Sequence, residues 1–595
     1  MSVWRVREMG GMVPAVDERL LPDNAAAYTE NGLLKSGSLI PLPQYQRLQD
    51  VAPATSFAYR LPVSYADAQF LYNSHWMEFD DPDTSVVRAP TIGDTHDRFY
   101  FTSPEIPPKY NTRARIEAGQ PAWLLGVPAP TIAPIVNSTG GVSETDVTRS
   151  YVYTYVTEYN EEGPPSPPTL DSDRTDANWQ ITVTAPVFDD FGVKRNIKKV
   201  RIYRTIYGSD GATQYYLVTE QPVIAAAPAV IIYDDILGDD VVSLNTILPS
   251  TSWSGPPDDL FGFVLMPNGF LAGWRGLQYS EIWFSDPFRP HAWPAEWTQT
   301  VEYPVVGLGV TNQSLVCCTE AYPVTMSGTH PQYIQVNKLV NHEPCLSRGS
   351  IISGPEGVFY ASPNGLVLVV PGLADNITKG IISKKNWNTL LQVPRLRAAR
   401  LGMSYFAYGA ISIGVFQDDA FQDGPSNEEE TFMTEDLTGS LTGVVVDPTS
   451  DMVAFSMLKS EFPVDNVYND PWSGEVLIVT DDKVKTLDVV TSGLPFQTAK
   501  WKSKIWQNSE LRNVAVCKVF FDDGYSTTPG NASNRGVIRF FADGVQIWER
   551  PLVKSGELMR LPSGYKATFY QLEIETTWRI HSVEFATSVK ELAAV

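Results

Sequence analysis

The chain has 595 residues, with 45 Lys and Arg against 68 Asp and Glu and a formal charge of −23. That length sets a prior of three or four domains at about 150 residues each, and the 43% apolar content is enough for packed cores. The acidic balance argues against a protein that reads DNA or RNA, which needs basic patches to neutralise phosphates; it leaves open a surface that DNA slides past without sticking.

The opening MSVWRVREMG has no apolar signal core, so no signal-peptide export is expected. Residues 1–53 read as an N-terminal segment. In LPDNAAAYTENGLLKSGSLIPLP, Asp23 or Asn24 can cap a short helix carrying Ala25 to Tyr28, and Asn31-Gly32 then turns the chain into an extended arm. Residues 54–125 together with 250–492 read as one discontinuous β-propeller-like body. LFGFVLMPNGFLAGWRGLQYSEIWFSD gives three strands split at Asn268-Gly269 and Arg275-Gly276. PVVGLGVTNQSLVCCTEAYPVTMSG, SIISGPEGVFYASPNGLVLVV and NVYNDPWSGEVLIVTDDKVKTLDV repeat the theme, with a further turn at Asn364-Gly365. Adjacent units recur every 45 to 50 residues or so, the period of a propeller blade. No WD or kelch signature accompanies it, so a doubled β-sandwich competes. One helix interrupts the strands: Ser383 can cap it, and Trp387, Leu390 and Leu391 share a face.

Residues 126–249 read as a fibronectin type III-like β-sandwich inserted into the propeller-like body. Its strands alternate apolar and polar residues in RSYVYTYVTEYN, WQITVTAPV, KKVRIYRTI, QYYLVTE and AVIIYDD. In YVYTYVTEYNEEGPPSPP, Tyr151, Tyr153 and Tyr155 share one face and Val152, Thr154 and Val156 the other. The prolines that follow cannot donate ladder bonds, so they end the strand and blunt an edge. Residues 493–595 read as a small C-terminal β-sandwich with turns at Asp523-Gly524 and Asp543-Gly544. The longest apolar run, Val223 to Ile232, is about ten residues and contains Pro228, whereas a membrane helix needs about 20; stable membrane insertion is not expected.

Chemistry is sparse. There is no GxxxxGK[ST] loop, GxSxG elbow or HExxH helix. Cys317, Cys318, Cys345 and Cys517 form no CxxC pair and read as reduced, buried thiols. His330 and His342 lie near three of them without a zinc spacing, so no metal and no cofactor is expected. His291, in FRPHAWPAEW, reads as a packed and hydrogen-bonded side chain. Two charged clusters stand out. Residues 418–436 hold Asp418, Asp419, Asp423, Glu428, Glu429, Glu430, Glu435 and Asp436 and no base. They are either a solvated loop or an acidic loop facing a channel through which DNA passes, where repulsion would act over about 8–10 Å at physiological salt. Lys194, Arg195, Lys198, Lys199, Arg201 and Arg204 form a basic patch, either the wet face of a strand or a contact for an acidic neighbouring subunit.

Several segments together resemble the tail nozzle (tail tubular protein B) family of short-tailed bacteriophages. They are LPDNAAAYTENGLLKSGSLIPL, YVYTYVTEYNEEGPPSPP with VRIYRTIYGSDGATQYYLV, LQYSEIWFSDPFRPHAWP, CCTEAYPVTMSGTHPQYIQVNKL and GVFYASPNGLVLV. They run in the family's order from about residue 20 to 370, and the C-terminal third is less recognisable. The resemblance implies a non-enzymatic virion protein, made in the host cytoplasm. Six copies would form a ring below the tail adaptor, near tail fibres or other tail proteins, around a channel that genomic DNA crosses transiently and without sequence preference. It offers no catalytic residues to carry over. Two alternatives remain: a receptor- or glycan-binding tail protein, and a propeller glycosidase.

Overall fold

The computed structural model describes residues 3–35, 37–61, 75–91, 93–140, 146–174, 178–186, 194–206, 214–223, 230–275, 280–409, 441–448, 453–460, 462–480, 482–487, 496–522 and 536–593. The acidic cluster Asp418 to Asp436 and the Asp523-Gly524 turn lie outside them, as does Gly276 of the Arg275-Gly276 turn. The chain is all-β with a propeller-like body, and it divides into two compact units.

The first unit comprises Met1–Pro82, Cys318–Pro323 and Lys338–Val595. It contains four-stranded antiparallel meanders of the kind that build propeller blades. One orders Ile352–Ser353, Val358–Ser362, Gly365–Val370 and Leu373–Asn376. Another orders Asn466–Asn469, Val476–Thr480 and Lys483–Leu487, and its fourth strand is Tyr45–Asp50 from the N-terminal arm. The helix Lys384–Leu391 forms as the spacing predicts. The Ser383 side chain accepts from Asn386 N at 3.2 Å, and Trp387 is buried with Nε1 donating to Ser362 O at 2.9 Å.

The helix expected at Ala25 to Tyr28 is instead the strand Ala26–Glu30. It inserts between Ala499–Ser503, antiparallel, and Ala454–Ser460, parallel. Ala26 is fully buried there; long-range ladder bonds override a local preference worth a few tenths of a kcal/mol per residue. The C-terminal strands likewise draw on the N-terminus. Val3–Val6 pairs with Ile580–Ala586, and Ala499–Ser503 pairs with both Ala26–Glu30 and Ala567–Thr576. The C-terminal β layers and the N-terminal strands therefore share one apolar core, from Val6 and Leu39 to Trp501, Ile574 and Phe585.

The second unit comprises Asp83–Cys317 and Val324–Asn337. One meander orders Ser85–Arg88, Arg98–Thr102, Lys109–Thr112 and Trp123–Leu124, and another orders Leu260–Leu265, Leu271–Arg275, Glu281–Phe284 and Gln299–Thr300. A third begins at Val305–Val310. First strands starting at Leu260, Val305 and Ile352 lie 45 and 47 residues apart, the period read from the sequence. In the Leu260–Leu265 strand a bulge carries Gly262 at φ +69°, and a Cβ there would sit 1.8 Å from the Trp274 ring, so only glycine fits.

Between these meanders lies the inserted sandwich. Its three-stranded sheet orders Ile135–Thr139, Asn178–Thr184 and Val230–Asp235. Its four-stranded sheet orders Thr169–Arg174, Asp146–Thr157, Ile197–Arg204 and Tyr216–Pro222. Tyr151, Tyr153 and Tyr155 pack with Trp179, Ile181, Val183, Val200 and Ile202 in its core. The opposite face of the Asp146–Thr157 strand is covered too: Val152 packs with Tyr203 and Leu248.

Candidate functional site

The segment that follows Thr157 explains the spacing of its prolines. In EEGPPSPP the residues able to donate a backbone bond are the two glutamates, Gly163 and Ser166. Gly163 N donates to Tyr155 O at 3.1 Å and Ser166 N to Tyr153 O at 2.9 Å. The chain thus doubles back along the strand it has just left, fastened at Gly163 before the first proline pair and at Ser166 between the two pairs, while the prolines themselves have no backbone N–H to leave unpaired.

Both glutamates of this turn are buried, and each has an arginine partner, as buried carboxylates require. Glu161 Oε1 lies 2.6 Å from Arg98 Nη1, and Arg98 Nε also reaches Asp94 at 3.0 Å. Glu162 accepts from the Thr154 and Tyr203 hydroxyls, both at 2.7 Å, and from Arg201 Nη1 at 2.8 Å. Glu161 therefore ties the sandwich to the Arg98–Thr102 strand of the blade beside it, while Glu162 stiffens the sandwich itself. Burial pushes the Glu161 carboxyl up, and Arg98 works against that. At Asp94 burial acts the same way but is outweighed by the hydrogen bonds from Arg98, so its carboxyl is held below the usual range. His291 is buried 3.9 Å from Glu161 Oε1. Burial, then the charges of Arg98 and Arg289, push its imidazole down to about 3, so it is neutral. It is packed, as its sequence context suggests, against the Trp253 ring; among the described residues, however, its Nε2 has no hydrogen-bond partner.

The sandwich enters and leaves the blade at one point. Gly126, at φ +87°, faces Gly255, and a Cβ on it would lie 2.6 Å from Gly255 Cα. Arg195 Nη1 donates to Leu125 O at 2.7 Å and Gly126 O at 3.1 Å. Adjacent entry and exit are what an inserted domain needs, and here they are pinned by an arginine. At the far end of the sandwich Arg204, fully buried, pairs with Asp235 at 2.9 Å and Asp239 at 2.6 Å and donates to Leu237 O at 2.9 Å. Tyr151 donates to the same Asp235 at 2.9 Å.

The basic patch is therefore split by the strand's own pleat. Val200, Ile202 and Arg204 alternate onto the core face, so Arg204 is interior and not available to a neighbouring subunit. Lys199 and Arg201 lie on the other face, both bound to Glu220, at 2.8 and 2.9 Å. Arg195 faces the entry point, and Lys194 and Lys198 are the exposed members. The period-two rule held the signal for Arg204: it keeps step with Val200 and Ile202. Arg98, Asp94 and His291 had no such signal, because they come from distant segments.

Two further histidines lie against aromatic rings, and the cysteines are packed. His330 accepts from Gln332 N at 3.2 Å and lies against Trp297, His342 lies against Tyr322, and all four cysteines are buried thiols. Among the described residues no group of three or more His, Cys, Asp or Glu is placed to hold a metal ion, and no helix is long and apolar enough to cross a membrane. The arrangement can hold one domain at a fixed angle to another; it presents no activated nucleophile among the described residues of this joint.

No family model and no curated protein matches the chain. Among solved structures it is similar to Hsv2 of Kluyvelomyces marxianus, at 8% identity and a TM-score of 0.24 over 55% of this chain and 90% of that one. It is also similar to the β-propeller domain of Cps50 (Swd1) of Myceliophteria thermophila, at 10% identity and a TM-score of 0.20 over 49% and 94%. A third similar structure is BBS1N in complex with ARL6DN, at 9% identity and a TM-score of 0.18 over 76% and 99%. Scores this low carry no functional argument; the meanders described above define the fold.

Proposed function

We propose that this chain is a virion structural protein of a short-tailed bacteriophage. Six copies would form the distal tail tube, or nozzle, below the tail adaptor ring and enclose the channel for genome ejection. The observation that carries the reading is the set of family-like segments, in family order, from about residue 20 to 370. The geometry of one of them supports it: YVYTYVTEYNEEGPPSPP forms a domain joint clamped by Glu161–Arg98, while Glu162–Arg201 stiffens the sandwich itself. A ring of heterologous contacts closes only at one angle, and a subunit whose inserted sandwich is fixed by a buried ion pair suits that demand. A charge of −23 suits a bore that repels phosphate. The protein's work is then mechanical, with no enzymatic step, no cofactor and no stable membrane insertion. Its place is the virion, after synthesis in the host cytoplasm, and its neighbours are the adaptor and the tail fibres or other tail proteins.

Cryo-electron microscopy of the tail that carries this chain tests the reading. Six copies around an axial channel are expected. Three copies, or density displaced from the axis, would overturn it in favour of a receptor-binding role. Deleting residues 127–248 should abolish assembly or infection, and normal virions from that deletion would remove the sandwich from the account.

A further inference from the structure

The segment after the last sandwich strand, residues 236–247, is held by hydrogen bonds and exposes four large aliphatic side chains. Ile236 is 75% exposed, Leu244 87%, Val241 47% and Ile247 45%. Four large aliphatics facing solvent within twelve residues are costly unless something covers them. The segment is not loose. Val242 is buried beneath it, and Arg204 grips it through Leu237 O and Asp239. Arg149 adds a second bond to Asp239 at 3.3 Å, and Asp235 accepts from Leu237 N at 3.0 Å. Asn245 Nδ2 reaches Leu217 O at 2.7 Å, Leu217 N reaches Thr246 O at 2.9 Å and Leu248 N reaches Tyr215 O at 2.8 Å. A fully buried arginine spent on holding an exposed knob makes the knob preorganised for docking, which removes the ordering cost of binding.

Charge identifies the occupant. The knob's rim is acidic, with Asp234 and Asp240 exposed, so its partner must bring cations. Among the described side chains of this same sandwich, Lys198 is an exposed cation, and it sits at the other end. Lys198 and Arg204 are six residues apart on one strand, roughly 20 Å at the rise of an extended chain. Knob and Lys198 therefore cannot meet within one copy, and a head-to-tail contact between copies brings them together. Four side chains fall far short of the roughly 800 Å² per partner that a stable interface buries, so the knob is one element of a larger, ring-closed contact. We propose that residues 236–247 dock onto a second copy of this chain, beside Lys198 of that copy's sandwich. This rests on the ring reading above.

The test places a photoreactive benzoylphenylalanine at position 244 of the full chain in assembled particles. Irradiation should yield crosslinked dimers of this chain, with the second peptide spanning residues 194–198. Crosslinks to another protein, to another region or to nothing would overturn the inference. Leu244→Asp should cut ring assembly at least tenfold while leaving the melting temperature of the free chain unchanged. Asp240→Lys and Lys198→Glu should each weaken assembly several-fold, and the two together should restore it; a pair no better than either single variant would overturn the pairing. Six-fold axial density without the crosslink would sink the knob and leave the nozzle standing. The crosslink with off-axis density would do the reverse.

Discussion

Replacing His291 by Gln should flatten part of the chain's acid sensitivity. The imidazole is buried between Arg98, Arg289 and Trp253, and its folded value is about 3 against an ordinary 6.5. The folded state therefore binds fewer protons than the unfolded state between those values. Stability from this residue is full above pH 6.5 and is lost as pH falls toward 3, at about 1.4 kcal/mol per unit. That amounts to about 2 kcal/mol by pH 5 and about 3 kcal/mol by pH 4. The nearby Glu161 carboxylate would normally hold the imidazolium, but Arg98 at 2.6 Å already claims it. Two measurements check this. In the folded chain with ¹³C-labelled imidazoles, the His291 resonance should stay in its neutral position down to pH 4. Amide exchange of the Arg98–Thr102 strand, corrected for intrinsic rate, should speed up about 30-fold more in wild type than in His291→Gln on going from pH 7 to 5, the equivalent of about 2 kcal/mol. A His291 signal titrating near pH 6.5, or equal acceleration in both proteins, would refute the reasoning.

Three further outcomes are expected. Arg204→Met should cost about 3–5 kcal/mol, because it strands the buried Asp235, whereas Lys198→Ala should stay within about 0.5 kcal/mol in the free chain; thermal melts and limited proteolysis of the sandwich would separate the two. Gly262→Ala should leave the chain largely insoluble, since the new methyl collides with Trp274, while Gly372→Ala, at φ +81° with nothing within 4 Å, should cost only about 1 kcal/mol of backbone strain. Burial, helped by Glu584, pushes the Cys517 thiol up to about 12, so a thiol reagent at pH 8 should leave it unmodified in native protein and label it once urea unfolds the chain.

Local rules carried the reading of the blades. Asn268-Gly269 and Asn364-Gly365 turn hairpins where the dipeptides say they should, with Gly269 at φ +80°. Ser383 caps its helix because a cap depends on three neighbouring residues. Two of the failures have one physical origin, partners far away in sequence. Ala26–Glu30 contains the alanines of a good helix, but its neighbours are residues 454–460 and 499–503, which no window around Ala26 can see. The joint was legible as a motif and illegible as a mechanism: NEEGPP announces an acidic turn, yet Arg98 and His291, lying 63 and 130 residues from Glu161, decide that its charge is buried and matched. In the basic patch, composition suggested one wet surface, and the pleat divided it between interior and exterior.

The shared core of the first and last residues sets an order of events during synthesis. Ser38 bonds to His581 across 543 positions, and Tyr45–Asp50 completes a sheet whose other strands begin at Asn466. When the ribosome has made the first two hundred and fifty residues, the sandwich has every strand it needs and can fold. The N-terminal strands, by contrast, must wait with open edges for nearly the whole remaining chain. A truncation near the C-terminus would thus release a protein with a finished middle and a sticky beginning. A molecule lacking the late strands leaves the edges of Val3–Val6, Ala26–Glu30 and Tyr45–Asp50 uncovered.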